Sequence, residues 1–169
     1  MIKEIIIHTP IWVFGLFLGL LVLGLQQSKA RNVKKIMVYP MPIGIIILSF
    51  FGVSSSFGYS LAPISLWFLG LGLSTLTGAI YFPIKGASYS DETGTYSLKG
   101  SWIPLIFMML IFFTKYVVGV MSALKFPILS SSSFIYSLSA LYGIFSGIFA
   151  SRAVSLWQTG STSLARSIA

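Results

Sequence analysis

The stretch that decides the fold is "SWIPLIFMMLIFFTKYVVGVMSAL", residues 101–124. It contains one charged residue, Lys115, in an otherwise uncharged and mostly apolar run. A bilayer core of about 30 Å is crossed by a helix of about 20 apolar residues. The stretch therefore predicts a transmembrane helix that carries one positive charge at depth.

Four further runs have the same length and character. The predicted spans lie at about 9–28, 37–57, 62–83, 102–124 and 133–152. The composition agrees, since 56% of the residues are hydrophobic and 8% are charged. We therefore predict an all-α, polytopic transmembrane helical bundle with five spans, forming a single integral-membrane domain over residues 1–169.

The loop charges predict the orientation of these spans. The connection "KARNVKK", residues 29–35, carries four basic residues, and the positive-inside rule places such loops in the cytoplasm. With five spans, the N-terminus is then predicted outside and the C-terminus in the cytoplasm. The predicted location is the inner (cytoplasmic) membrane of a bacterium.

The longest polar connection, "GASYSDETGTYSLKGSW", occupies residues 86–102. Asp91 and Gly94 have the spacing of a type I turn closed by a left-handed residue, with Tyr89 and Tyr96 on its two sides. This pattern predicts a short cytoplasmic β-hairpin between spans 3 and 4. The hairpin is either a plain connector or a lid or docking element.

Small residues at helical spacing predict where helices approach each other closely, because lipid supplies no hydrophobic drive between them. They predict tight packing within one bundle rather than a dedicated dimer interface. The predicted packing positions are Gly15, Gly19, Gly70, Ser74, Gly78, Gly119, Gly143 and Gly147.

Lys115 lies about 20 Å along its span and is predicted in the outer half of the membrane. A lysine at mid-bilayer costs about 2.5 to 3.5 kcal/mol on insertion scales. Gly119 and Ser122 follow it at i+4 and i+7, and this small face predicts that Lys115 points into the bundle. A buried ammonium group then needs a partner.

The sequence contains few partners for that charge. Asp91 and Glu92 occupy the hairpin tip, so Glu4 is the only carboxylate predicted on the outer side. Thr9 and Pro10 suit the N-cap and first position of the first helix, which leaves His8 just outside it. We therefore predict a polar, ligand-binding cluster composed of Lys115, Glu4, His8, Tyr136 and Ser122.

Several chemistries are excluded by residue counts. With no cysteine and one histidine, the chain lacks the ligands for a Cys- or His-cluster metal site, and we predict no metal and no cofactor. The net charge of +8 is spread between apolar runs, so no nucleic-acid partner is predicted. No catalytic constellation is found, although a Schiff-base lysine at Lys115 is a minor alternative.

The segments "HTPIWVFGLFLGLLVLGLQQSK", "GSWIPLIFMMLIFFTKYVVGV" and "LYGIFSGIFASRA" resemble a family of small, uncharacterised bacterial inner-membrane proteins. The resemblance spans most of the chain. The His-Thr-Pro start and the Gly-Ser-Trp-x-Pro-Leu segment are its most specific parts. The resemblance implies an inner-membrane location and no assigned activity, and it transfers no catalytic residue.

Three function classes remain open, and an enzyme, for which no catalytic constellation is found, is the third. In the first, the protein handles a small solute, an ion or a lipid headgroup, with Lys115 as the intramembrane ligand, because a charge at depth usually marks a functional site. In the second, it is a non-catalytic accessory or assembly subunit of a membrane complex. The expected partners are the lipid bilayer, a small anionic solute or headgroup, and another membrane protein or a second copy.

Overall fold

The computed structural model describes the backbone of residues 9–57, 59–81, 83–84, 86–90 and 93–168, and the side chains of these residues except at positions 41, 55–57 and 162–168. The described residues form five long helices, and each is long and apolar enough to cross a membrane. These helices are α1 (Ile11–Ser28), α2 (Pro40–Phe57), α3 (Leu61–Tyr81), α4 (Ile103–Ala123) and α5 (Ser132–Ile168). The prediction of five spans is confirmed.

The chain divides into two compact units. The first contains α1 and α4 and comprises Met1–Lys29 and Gly100–Leu129. The second contains α2, α3, α5 and the strands, and comprises Ala30–Lys99 and Ser130–Ala169.

In the first unit, α1 and α4 pack through aromatic residues and one glycine. Gly24 is the buried residue of α1, and a Cβ at this position would collide with Leu105 of α4. Phe17 approaches Phe112 with ring centroids 5.3 Å apart. Gly24 and Phe17 are seven residues apart and so share one face of α1.

Helix α4 ends in a Schellman-type cap. The N–H of Lys125 donates to the carbonyl of Ser122 at 3.0 Å, and the N–H of Phe126 donates to that of Met121 at 3.0 Å. Lys125 has φ 54°, the left-handed conformation that this motif requires.

In the second unit, α3 and α5 approach to backbone contact. A Cβ at Gly70 would lie 2.6 Å from the carbonyl oxygen of Ala140, and one at Gly143 would collide with the carbonyl of Trp67. The Ser74 hydroxyl donates to the carbonyl of Ile144 at 3.1 Å across this contact. Small residues therefore permit both close packing and an interhelical hydrogen bond.

Helix α2 joins this pair through a buried polar chain. The indole N–H of Trp67 on α3 donates to the hydroxyl of Ser49 on α2 at 2.8 Å. That hydroxyl in turn donates to the carbonyl of Tyr142 on α5 at 3.1 Å. Each buried donor in this chain has an acceptor, which is what an apolar medium demands.

The predicted hairpin is confirmed, and it belongs to a three-stranded antiparallel sheet. The strands are β1 (Arg31–Lys34), β2 (Ser88–Ser90) and β3 (Thr95–Leu98), in the order β1-β3-β2. Gly94 has φ 61°, as the predicted turn requires. The third strand, β1, comes from the loop between α1 and α2, so this loop and the hairpin lie at the same end of the second unit.

Helix α5 differs most from its prediction. It was predicted to end near residue 152 and instead continues to Ile168, giving 37 residues and a length of about 55 Å. Its extension packs against the sheet, since a Cβ at Gly160 would collide with the hydroxyl of Tyr96 on β3. The hydropathy pattern does not predict this extension of α5, because its polar residues are buried by tertiary contact, as at Ser155.

Not all predicted packing positions lie at a helix contact. Gly78 and Gly147 do. A Cβ at Gly78 would clash with Ser151, and a Cβ at Gly147 would clash with Ser74. For Gly15 and Gly19, by contrast, no described atom lies within 4 Å of an added Cβ. Gly15 and Gly19 face away from α4, because they lie about 160 to 200° around the axis of α1 from Phe17 at 100° per residue.

Candidate functional site

The sequence-predicted site is centred on Lys115, which the structure places within the first unit. Lys115 is the thirteenth residue of α4, about 18 Å from the start of the helix, and its side chain is half-buried. Its neighbours along the helix, Thr114 and Tyr116, are also half-buried. The charge is therefore held at depth in a helix whose composition is that of a membrane span.

The next residue, Tyr116, makes a polar contact between the two helices of the unit. Its hydroxyl lies 2.9 Å from the hydroxyl of Thr9, and either oxygen can be the donor. The ring of Tyr116 stacks on that of Phe112 with centroids 6.2 Å apart and an interplanar angle of 8°. Tyr116 therefore presents its hydroxyl to the start of α1 while its ring stays in an aromatic layer.

Thr9 has a different role from the predicted one. It was predicted to cap α1, but the helix begins at Ile11 after Pro10, without a side-chain capping hydrogen bond. The Thr9 hydroxyl bonds instead with Tyr116. An interhelical bond takes the place of a local cap.

Two members of the predicted cluster, Glu4 and His8, lie outside the described residues. His8 directly precedes Thr9, so the N-terminal segment joins the described chain at the Tyr116 contact, one residue from Lys115. The association of Lys115 with Glu4 and His8 stays a prediction, which the hydrogen bond between Thr9 and Tyr116 supports.

The remaining predicted members are located as follows. Ser122 is exposed on α4, and Gly119 is exposed with no described atom within 4 Å of an added Cβ. The inward-facing small surface stays a prediction, because the residues before Thr9 lie outside the described part of the chain. Tyr136 is 41% exposed on α5, in the second unit, and its proximity to Lys115 stays a prediction.

A second concentration of charge, predicted from the sequence as a cytoplasmic loop and not as a binding site, lies on the sheet of the second unit. The first connection places Arg31 and Lys34 on β1 and Lys35 in the 3-10 helix Lys35–Val38 that leads to α2. The ammonium group of Lys35 lies 5.7 Å from the ring centroid of Tyr89 on β2. Protein packed around Arg31 desolvates it and lowers its pKa, although a guanidinium stays charged at neutral pH.

Tyr96 is the centre of the sheet's inner face. Its ring is 1% exposed and lies 4.8 Å from that of Tyr89, its partner in the register. Its hydroxyl has no hydrogen-bond partner among the described residues. Burial, with smaller contributions from Tyr39 and Tyr89, raises the pKa of Tyr96 above its usual range, so the phenol is neutral at physiological pH.

Metal ligation finds no support in the described part of the chain, where no group of three or more His, Cys, Asp or Glu side chains comes together. The three acidic residues of the sequence, Glu4, Asp91 and Glu92, all lie outside that part. The described residues of both candidate sites supply cations and hydroxyls, which bind anions.

Comparison with known proteins matches residues 1–164 to a family of unknown function, DUF6622. The chain belongs to the DUF6622 family. This agrees with the resemblance to an uncharacterised family, and no activity is assigned to DUF6622. No curated protein and no solved structure matches the chain at a significant level.

Proposed function

We propose that this DUF6622 protein is an integral membrane protein that binds an anionic ligand at Lys115, either a small solute or ion or a lipid headgroup. The observation that carries the proposal is the half-buried lysine thirteen residues into an apolar helix. Placing a charge there is costly, and such residues in membrane spans usually serve binding or transport.

The surroundings of Lys115 support an anion as the ligand. The adjacent Tyr116 and Thr9 provide hydroxyl groups that can donate hydrogen bonds to an anion. The aromatic layer of Phe112 and Phe17 lies beside them and limits access of water from that side. A single ammonium group in such surroundings interacts more strongly with an anion than it would in bulk water.

Replacing Lys115 with methionine keeps the length of the side chain and removes its charge. We expect the rate of anion influx, or the affinity for the anionic lipid, to fall roughly tenfold or more. The measurement is influx of chloride and of inorganic phosphate into phosphatidylcholine proteoliposomes, together with the shift in melting temperature that phosphatidylglycerol produces in detergent. Lys125→Met is the matched control, because Lys125 follows the same helix in an exposed cap. Equal flux and equal lipid stabilisation in wild type and Lys115→Met would refute the proposal.

The alternative is an accessory or assembly subunit. Its specific support is α1, where large apolar side chains such as Trp12, Leu18 and Val22 are exposed to lipid or another helix. Co-purification of a second membrane protein in stoichiometric amount, combined with no effect of Lys115→Met, would favour this alternative.

The proposed orientation places the N-terminus outside and the C-terminus in the cytoplasm of a bacterial inner membrane. The absence of cysteine from the sequence makes a direct test possible with single cysteines at exposed positions. In intact cells, a membrane-impermeant maleimide is expected to label Ser60→Cys and Ser130→Cys, and to label Ser97→Cys on β3 only after permeabilisation. The reverse labelling pattern would overturn the orientation.

A further inference from the structure

The second unit contains an apolar groove between the start of α2 and the second half of α5. Its volume is about 400 Å³, and its lining includes Tyr39, Ile43, Ile46, Ala150, Ala153 and Trp157. Apart from the tips of the two aromatic residues, these side chains are hydrocarbon. The groove is bounded by helices that are long and apolar enough to cross a membrane, so in a bilayer acyl chains rather than water would cover it.

One end of the groove opens next to the sheet. Tyr39 directly follows the 3-10 helix that leads out of β1, and it is close enough to Tyr96 on β3 to act on it electrostatically. Trp157 precedes by three residues Gly160, the residue of α5 that contacts Tyr96. Tyr and Trp are the residues that favour the boundary between acyl chains and headgroups, so this end lies where a headgroup would be.

The same end carries a cluster of positive charge. Arg31, Lys34 and Lys35 precede Tyr39 by four to eight residues. Arg31 and Lys35 lie on the face of the sheet that carries Tyr96, whereas Lys34 lies on the other face. All three are exposed, and the charge of Arg31 is close enough to that of Arg152 on α5 for the two to interact. The described part of the chain contains no carboxylate side chain to neutralise them.

We propose that this groove binds an acidic phospholipid, with one acyl chain along the α2–α5 surface and the phosphate at Arg31 and Lys35. Basic clusters next to a membrane span attract anionic headgroups. The apolar groove adds an acyl-chain contact that a soluble phosphate cannot make. The site uses residues of the second unit and does not depend on the ligand proposed for Lys115.

The charge arm of the test compares lipids on the full-length protein. Protein reconstituted in phosphatidylcholine nanodiscs with limiting phosphatidylglycerol is extracted in mild detergent, and retained lipid is quantified by native mass spectrometry. Wild type is expected to retain phosphatidylglycerol over phosphatidylcholine. The double variant Arg31→Gln/Lys35→Gln is expected to lower that preference about 25-fold, since each basic residue near an anionic surface contributes about a factor of five.

The control carries the same change in net charge elsewhere. Lys3→Gln/Lys125→Gln removes two lysines that are not among the residues of the proposed site and is expected to keep the preference. Equal retention of the two lipids by wild type, or equal loss in both double variants, would overturn the site, because general attraction to net charge would then account for binding.

The groove arm tests the acyl chain. Ala153→Phe fills the groove and is expected to lower retention of phosphatidylglycerol, whereas Ala123→Phe at the exposed end of α4 keeps it. Ala150→Leu is a smaller filling change that serves if Ala153→Phe folds poorly. Inorganic phosphate at millimolar concentration is expected not to displace the lipid; displacement by phosphate, or retention unaffected by both filling variants, would show that the groove takes no part.

Discussion

Replacing Gly143 with leucine is expected to lower the free energy of unfolding by about 3 kcal/mol, the upper end of the usual cost of overpacking. A Cβ at Gly143 would collide with the carbonyl oxygen of Trp67 and would lie 3.0 Å from the amide nitrogen of Leu71. Both are backbone atoms of α3, and backbone cannot rotate away as a flexible side chain can. The two helices would have to separate.

Separation of α3 and α5 would also break polar contacts. The hydrogen bond from the Ser74 hydroxyl to the carbonyl of Ile144 spans this contact, and so does the one from Thr75 to the carbonyl of Gly147 at 3.3 Å. In an apolar medium these hydroxyls would fall back on acceptors within their own helix, at Gly70 and Leu71. The main loss is therefore packing, with a smaller loss from interhelical hydrogen bonds.

The measurement is reversible unfolding of purified protein in mixed micelles of mild detergent and sodium dodecyl sulfate. Gly72→Leu is the matched control, since Gly72 lies on α3 and no described atom is within 4 Å of an added Cβ. Both substitutions raise helix propensity equally, so the difference between them reports the contact. Equal stability of the two variants would mean that α3 and α5 do not meet at Gly143.

Replacing Gly160 with alanine is expected to destabilise the protein by about 1 to 2 kcal/mol, although alanine is the better helix former by about 1 kcal/mol. The added methyl group would collide with the hydroxyl of Tyr96 and would lie 3.2 Å from the ring carbon that bears it. Tyr96 is 1% exposed and so has no free space to move into.

The same contact predicts a rescue. Tyr96→Phe removes the colliding oxygen and also a buried hydroxyl without a described hydrogen-bond partner, so it is expected to be neutral or to stabilise by about 1 kcal/mol. In the Tyr96→Phe background, Gly160→Ala is expected to become neutral or stabilising. The sign of the alanine effect therefore reverses between the two backgrounds, which is a coupling between neighbouring residues.

The readout for this cycle is unfolding of all four proteins, with amide hydrogen exchange of β3 as a local probe. Gly160→Ala alone is expected to speed exchange at Thr95–Leu98, and the double variant is expected to restore protection. Additive effects of the two substitutions would contradict the contact between α5 and the sheet. Loss of stability in Tyr96→Phe alone would mean that the hydroxyl has a bonding partner outside the described residues.

Lys115 and the hairpin are features that the local sequence pattern is sufficient to predict. The charge in an apolar run, the five spans and the turn at Gly94 follow from residue type and spacing, because each depends on neighbours in the chain. The pairing of β1 with β3 joins residues more than 60 positions apart. The segment "RNVK" is too short and too charged to be predicted as a strand alone.

Two pairs of glycines show more clearly that local sequence pattern does not predict contacts between helices. Gly15 with Gly19 and Gly143 with Gly147 have identical spacing, yet the second pair lies at backbone contact and the first has no described neighbour within 4 Å. Spacing identifies a small surface on a helix. Which small surface is used depends on how far each helix is rotated towards its neighbour.

The sequence alone determined the class of protein, the five spans, the hairpin and the cost of placing Lys115 in an apolar helix, because these follow from the transfer of side chains and backbone into lipid. Four features come from the folded structure alone: the length of α5, the third strand, the burial of Tyr96 against Gly160, and the groove between α2 and α5. These features depend on contacts between segments distant in the chain, and such contacts are set by three-dimensional packing rather than by local composition.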